Sequence, residues 1–110
     1  MKARAEIDAG VCGFHTVARA SSDDDMYVIY DIQTECEKIR NLASLLIAKG
    51  PINVHHEIDP TKEGVIMDTV RATLKGCCAG CAVPVGIFKA AQVATGLALP
   101  RDIVLRLEKE

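Results

Sequence analysis

The chain has 110 residues, of which 49% are hydrophobic and 25% are charged, and its net charge is −2. This length predicts a single domain over residues 1–110, and the composition predicts a core of small aliphatic side chains. The slightly acidic balance argues against a nucleic-acid partner, which needs clustered Lys and Arg. We find neither a secretory leader nor a membrane-spanning segment, and therefore expect a cytoplasmic protein with no membrane partner.

The first third of the chain predicts three strands. Residues 3–9 alternate small apolar and charged side chains, which is typical of a half-buried strand. The turn at 10–13 leads into a second strand at 14–20, and the polar turn at 21–25 leads into a third at 26–32. The third run is almost continuously apolar, which predicts a central strand covered on both faces.

A helix is predicted next. Thr34 followed by Glu37 matches a capping box, and apolar residues recur at helical spacing as far as the Gly50-Pro51 stop. Residues 52–58 are then expected to be extended.

Two more helices and a closing strand complete the prediction. Asp59-Pro60 should open a helix that ends near Lys75, and Pro84 suits the first turn of a helix ending near Gly96. The alternation of Ile103, Leu105 and Leu107 predicts a final strand. The fold class is therefore α+β: a small, mostly antiparallel sheet in the order β-β-β-α-α-α-β, with the helices packed on one face.

Five cysteines are the main chemical feature of this chain. In an antiparallel meander the turn that holds Cys12 and the end of the third strand, just before Cys36, lie at the same end of the sheet. Cys78 and Cys81 precede a helix, as a C-x-x-C pair. The odd number of thiols and the cytoplasmic setting argue against structural disulfides. We therefore expect these four thiols to converge.

Four thiolates at one point suit tetrahedral zinc or an iron–sulfur cluster, and the spacing does not separate these two. Four protein ligands leave no open coordination position, which argues against a hydrolytic metal enzyme. Two alternatives remain open: a thiol–disulfide redox protein that uses the Cys78/Cys81 dithiol, and a domain whose cysteines only fill the core. Cys77 is the spare thiol or a substitute ligand.

Other polar residues give weaker signals. His15, just past Cys12, is a candidate to orient a metal ligand through a hydrogen bond without binding the metal itself. His55 and His56 are adjacent in a stretch expected to be extended, so they should point to opposite faces and not share an ion. The acidic run at 23–25 is best interpreted as a charged turn.

Three stretches resemble a family of short, uncharacterised proteins from anaerobic prokaryotes: AGVCGFHTVARA at 9–20, CEKI at 36–39 and CAGCAVPVGIFKAAQVATGLALP at 78–100. The resemblance implies that Cys12, Cys36 and Cys81 match cysteines of the family, and that histidine can replace Cys78, as a metal ligand would allow. It implies no reaction.

A second, local resemblance covers GCCAGCAVPVGIFK at 76–89. This segment is similar to the C-x-x-C segment that leads into a helix in bacterioferritin-associated-ferredoxin-like domains, which hold a two-iron, two-sulfur cluster. Those domains supply their other two cysteines as a close C-x-C pair, whereas Cys12 and Cys36 lie far apart here.

The sequence thus predicts a metal-binding protein with zinc or an iron–sulfur cluster on Cys12, Cys36, Cys78 and Cys81. Its role would be redox or electron transfer with a cluster, and a structural interaction module with zinc. An open sheet edge at the first or last strand also makes a homodimer an expected assembly.

Overall fold

Alternating side chains build one antiparallel sheet, as expected. The computed structural model describes residues 1–110. Its strands are β1 (Lys2–Asp8), β2 (His15–Ser21), β3 (Tyr27–Thr34) and the short β4 (Ile52–Asn53). They lie in the order β1-β2-β3-β4, and each pair is antiparallel.

Four helices and one 3₁₀ helix complete the fold. The helices are α1 (Glu37–Ala48), α2 (Val54–Glu57), α3 (Val65–Thr73) and α4 (Val83–Ala94), and the 3₁₀ helix spans Gly76–Gly80. Helix α4 packs on β1 and β2, and α1 packs on β3. The predicted α+β class, with helices on one face of an antiparallel sheet, is confirmed.

The core lies between this sheet face and the helices. Its largest fully buried side chains include Leu42 and Leu46 of α1, Ile66 of α3 and Ile87 of α4. Tyr30 of β3 joins the two layers, because its hydroxyl donates a 2.9 Å hydrogen bond to the Ile87 carbonyl oxygen. Burial also raises the pKa of Tyr30, so this phenol remains a neutral donor.

The expectation that the third strand is covered on both faces is wrong. Tyr27 and Ile29 of β3 are 43% and 59% exposed, and their alternate neighbour Val28 is fully buried. The helices cover only one face of the sheet, so the apolar run at 26–32 supplies one buried and one solvated side.

The expected start of the first helix is also wrong. Thr34 is the last residue of β3, and the N-cap of α1 is Cys36, without a side-chain cap. The Thr34 hydroxyl oxygen instead accepts a hydrogen bond from the Cys36 backbone N–H at 3.2 Å. The predicted stop at Gly50 is confirmed, since α1 ends at Ala48 and Gly50 has φ +74°.

The segment between α1 and α3 differs most from prediction. Only Ile52–Asn53 is extended, and α2 follows because the Asn53 side chain accepts hydrogen bonds from two backbone N–H groups. Asp59-Pro60 opens no helix. Helix α3 begins at Val65, where the Glu57 carboxylate accepts hydrogen bonds from the N–H groups of Val65 and Ile66 at 2.8 and 2.6 Å, and it ends at Thr73 rather than near Lys75.

The predicted closing strand is absent. Ile103, Leu105 and Leu107 lie in a C-terminal segment without regular structure and are 53%, 74% and 97% exposed. Alternation alone therefore does not secure a place in this sheet, whose fourth strand is β4.

One stretch, Gly76–Ala94, is long and apolar enough to cross a membrane by length and composition alone. The expectation of a protein without a membrane partner stays a prediction. Much of the apolar character of this stretch is used in the core. The residues of α4 that are buried there are Val83, Pro84, Ile87, Ala90, Ala91 and Ala94.

Candidate metal centre

Four of the five cysteines line one pocket of about 580 Å³ at one end of the sheet. Cys12 comes from the β1–β2 loop, Cys36 from the start of α1, and Cys78 and Cys81 from the segment that precedes α4. The strand register explains this arrangement. Asp8 pairs with His15 and Thr16 pairs with Thr34, so the hairpin loop and the end of β3 meet at one end of the sheet.

Cys36 is held by a small hydroxyl network. Its N–H bonds to Thr34, and the Thr34 hydroxyl lies 2.7 Å from the hydroxyl of the buried Thr16. Arg40 donates from its guanidinium to the Thr34 carbonyl oxygen at 3.1 Å. The uncapped N-terminus of α1 therefore lies at the pocket, where its free N–H groups favour negative charge.

Cys78 and Cys81 lie on one tight turn. Cys78 is within the 3₁₀ helix, Cys81 caps it, and the Cys81 N–H donates to the Cys78 carbonyl oxygen at 3.2 Å. The turn does not depend on Gly80, which has no positive φ. The positive φ angles nearest these two thiols and Cys12 are at Gly76 (+65°), Gly10 (+87°) and Gly13 (+74°). The hairpin loop thus needs its glycines more than the C-x-x-C turn does.

The surroundings of Cys81 disfavour its thiolate. Burial is the main cause that raises the pKa of Cys81, the Val83 backbone N–H lowers it by less, and the nearby Cys12, Cys36 and Cys78 raise it by smaller amounts. Across the pocket, the Lys38 ammonium donates to Cys78 Sγ at 3.4 Å. The pocket lining also includes Arg40, Glu35 and Glu37, so its charged side chains balance formally and supply no net positive charge for four thiolates.

The four thiols surround the pocket without closing on a single point. No three His, Cys, Asp or Glu side chains in this structure lie close enough together to hold a metal ion. A tetrahedral zinc with Zn–S bonds of about 2.3 Å would require sulfurs about 3.8 Å apart. The structure does not hold the thiols in such an arrangement.

The remaining sequence candidates lie outside the pocket. Cys77 is exposed and is not part of the lining. His15 lies on the opposite side of β2 from Thr16, and its Nδ1 is 2.7 Å from Asp8 Oδ1. The Asp8 hydrogen bond raises the pKa of His15, but the ring does not line the pocket. The structure therefore does not bring His15 to the four thiols.

The other polar candidates have local structural contacts. His55 is exposed, and its Nε2 lies 3.1 Å from the Asp25 carbonyl oxygen. Asp24 accepts hydrogen bonds from the backbone N–H groups of Met26 and Tyr27, which makes the acidic run a turn, as interpreted.

Lys38 and the two threonines were not identified as site residues from the sequence. Lys38 follows Cys36 by two positions, so helix geometry could have placed it near the same end. The Thr16–Thr34 pair could be found only from the strand register.

A family described as "Family of unknown function (DUF6951)" matches residues 3–107. The chain belongs to this family. The match covers most of β1 through most of the C-terminal segment, so the cysteine pocket and most of the exposed tail lie within the matched residues. No curated protein and no solved structure matches the chain.

Proposed function

We propose that the pocket formed by Cys12, Cys36, Cys78 and Cys81 binds one metal centre, and that the protein acts in electron transfer or redox sensing. The observation that carries this proposal is the position of four thiols, from three separate segments, around one pocket. Thiols that only filled the core would be distributed by packing, and nothing would bring four of them to one end of the sheet.

The electrostatics support a cation as the occupant. Burial and the neighbouring thiols oppose ionisation of Cys81. A bound metal ion removes that opposition, because it attracts every thiolate at once and replaces the protons that they would otherwise hold. The N-terminus of α1 and the Lys38 ammonium add positive charge at the pocket, which stabilises a centre of net negative charge.

We favour an iron–sulfur cluster over a single zinc ion because the segment at 76–89 is similar to the C-x-x-C segment that binds a two-iron, two-sulfur cluster in ferredoxin-like domains. When bound, a cluster would supply one-electron redox chemistry, with Lys38 and backbone N–H groups adjusting its potential.

The chain contains a matched control for this proposal. Cys77 is adjacent to Cys78 but exposed and outside the lining. In protein purified without oxygen, or reconstituted with iron and sulfide, we expect visible absorption with bound iron and sulfide. Replacement of Cys12, Cys36, Cys78 or Cys81 by serine should each remove most of the iron, whereas Cys77→Ser should keep it.

Three outcomes are informative. Unchanged iron in Cys36→Ser would contradict the four-thiol site. Colourless protein with one zinc per chain, lost in the same four variants, would keep the site and reject the cluster, and the protein would then be a structural interaction module. Metal-free protein after both treatments would reject the metal centre.

A second candidate function rests on the Lys38 contact. The ammonium at 3.4 Å from Cys78 Sγ would stabilise a thiolate there, with Cys81 as the resolving thiol of a Cys78/Cys81 dithiol. Rapid alkylation of Cys78 in metal-free protein, slowed in Lys38→Met, would support this function. Equal alkylation rates in the two proteins would exclude it.

A further inference from the structure

Strand β1 leaves one edge of the sheet open. The N–H of Ala9 donates to the Phe14 carbonyl oxygen, and the N–H of Ser22 donates to that of Met1. Because hydrogen-bonding direction alternates along an antiparallel strand, the odd-numbered residues of β1 bond to β2. The backbone groups of Lys2, Arg4, Glu6 and Asp8 therefore point away from β2, and no other segment bonds to them. This edge can accept another strand.

The C-terminal segment has the pattern of a strand that lacks a partner. Ile103, Leu105 and Leu107 alternate with polar or smaller residues and are all exposed. The last backbone hydrogen bond recorded along this part of the chain is the short one from the Arg101 N–H to the Leu99 carbonyl oxygen. Three large apolar side chains on one side of an extended segment are ordinarily buried.

One antiparallel register matches the charges of the tail to those of β1. When Leu105 is opposite Ile7, Arg106 lies opposite Glu6 and Glu108 lies opposite Arg4. The same register also places Glu110 opposite Lys2. Opposite charges in facing positions stabilise a strand pair. A shift of two residues in either direction creates a like-charged pair, Arg106 opposite Arg4 in one case and Glu108 opposite Glu6 in the other.

The direction of α4 argues that this partner strand comes from another molecule. A Cβ at Gly86, near the start of α4, would touch Ile7 and Ala5, whereas one at Gly96, past its end, would lie near the Met1 side chain. Helix α4 thus runs antiparallel to β1, and the tail leaves it beside the beginning of β1. A chain pairing antiparallel with its own β1 would first have to return along the whole strand, about 24 Å.

We infer that residues 103–110 add as an antiparallel strand to the open edge of β1 in a second copy of the chain, and that the exchange is reciprocal. The result is a two-fold dimer in which each sheet gains a fifth strand. Leu105 and Leu107 then lie on the face of the sheet that α4 covers, beside Ile7 and Ala5. This inference is independent of the metal centre.

A charge exchange tests both the partner and the register. Light scattering after size-exclusion chromatography, with reductant present so that the exposed Cys77 forms no disulfide, should give the mass of a dimer for the full chain. Arg106→Glu places like charges at two symmetric positions and should weaken dimerisation about tenfold. Glu6→Arg should do the same, and the double variant Glu6→Arg/Arg106→Glu should restore the dimer.

A control and a stronger variant complete the experiment. Lys62→Glu makes the same charge reversal at an exposed position away from β1 and should leave the dimer unchanged. Leu105→Asp/Leu107→Asp should give a monomer that keeps the helical circular dichroism signal and loses only the strand signal of the released tail. If the full chain is monomeric at all concentrations, the inference is wrong. This holds also when the β1 amides of the monomer are protected from hydrogen exchange, because the tail then pairs with β1 of its own chain. A dimer that persists in both the Arg106→Glu and the double Leu variants overturns it equally.

Discussion

Two neighbouring parts of α4 differ in how they fill the space over the sheet. At Gly86, in the first third of the helix, the chain packs so closely that an added Cβ would lie 2.5 Å from Ile7 Cγ1. At the N-terminal end, the same helix borders a pocket of about 580 Å³ lined by four thiols. We interpret this difference as support for the proposed metal centre, since the open end of the helix is the end where the four thiols lie.

The largest effect on stability is expected from a substitution at the closely packed point, Gly86. Gly86→Ala would ordinarily favour a helix, but here the added methyl group must displace Ile7, which should lower the free energy of unfolding by roughly 1–3 kcal/mol. Denaturant unfolding of metal-free protein measures this loss. Ile7→Val in the same background should recover part of it, and Gly86→Ala should leave the stoichiometry of bound metal unchanged.

If Gly86→Ala were as stable as the wild type, the region around Ile7 would be able to adjust. The contrast with the thiol pocket would then lose its meaning, because both regions would tolerate a change in volume.

At the thiol end, the free energy of unfolding should depend on pH because the folded chain changes the pKa of Cys81. The pKa of Cys81 is raised above the ordinary thiol value of 9.0, so the folded chain holds this proton more tightly than the unfolded chain. The metal-free protein should therefore lose stability as the pH rises through 9.0 towards the raised pKa. Cys81→Ser should remove that part of the slope in denaturant unfolding from about pH 7.5 to 10.5.

Metal binding should show the opposite dependence. Because a bound metal requires the thiolate, affinity should increase with pH over the same window. An identical slope in the wild type and in Cys81→Ser would mean that Cys81 is not desolvated by the pocket.

The smallest expected effect concerns the solvated side of the same end of the sheet. Asp8→Asn should move the pKa of His15 down towards its ordinary 6.5, because the Asp8 hydrogen bond is the main cause of its rise. Any stability from this pair is present below pH 6.5 and is lost as the pH rises through the raised pKa. An NMR titration of the imidazole measures the shift, and unaltered metal binding in Asp8→Asn would agree with the position of His15 outside the pocket.

The sequence predicts the parts of this fold that depend on local patterns. Alternation identifies β1 and β2, Gly50 marks the end of α1, and Pro84 marks the first turn of α4. Strand direction predicts that Cys12 and Cys36 lie at one end of the sheet, and the position before a helix predicts that Cys78 and Cys81 join them. The structure brings the four residues to one pocket.

The errors occur where a distant contact decides the structure. Glu57 caps α3 from eight residues upstream, so the nearby Asp59-Pro60 signal is not used to begin a helix. Thr34 is a residue type that often caps a helix, but pairing with Thr16 keeps it in β3. The tail has the alternation of a strand, but a single chain provides no partner for it. Local patterns cannot reveal which of two competing contacts forms.

The wide separation of the four cysteines along the chain has one more consequence. Cys12 and Cys36 are 24 positions apart (36 − 12), and Cys36 and Cys78 are 42 apart (78 − 36). A metal shared by all of them would act as a cross-link between the first hairpin, α1 and the start of α4, and would stabilise the folded chain more as the free concentration of the metal rises. The lifetime of the protein in the cell would then follow the supply of that metal, with starvation exposing the chain to degradation.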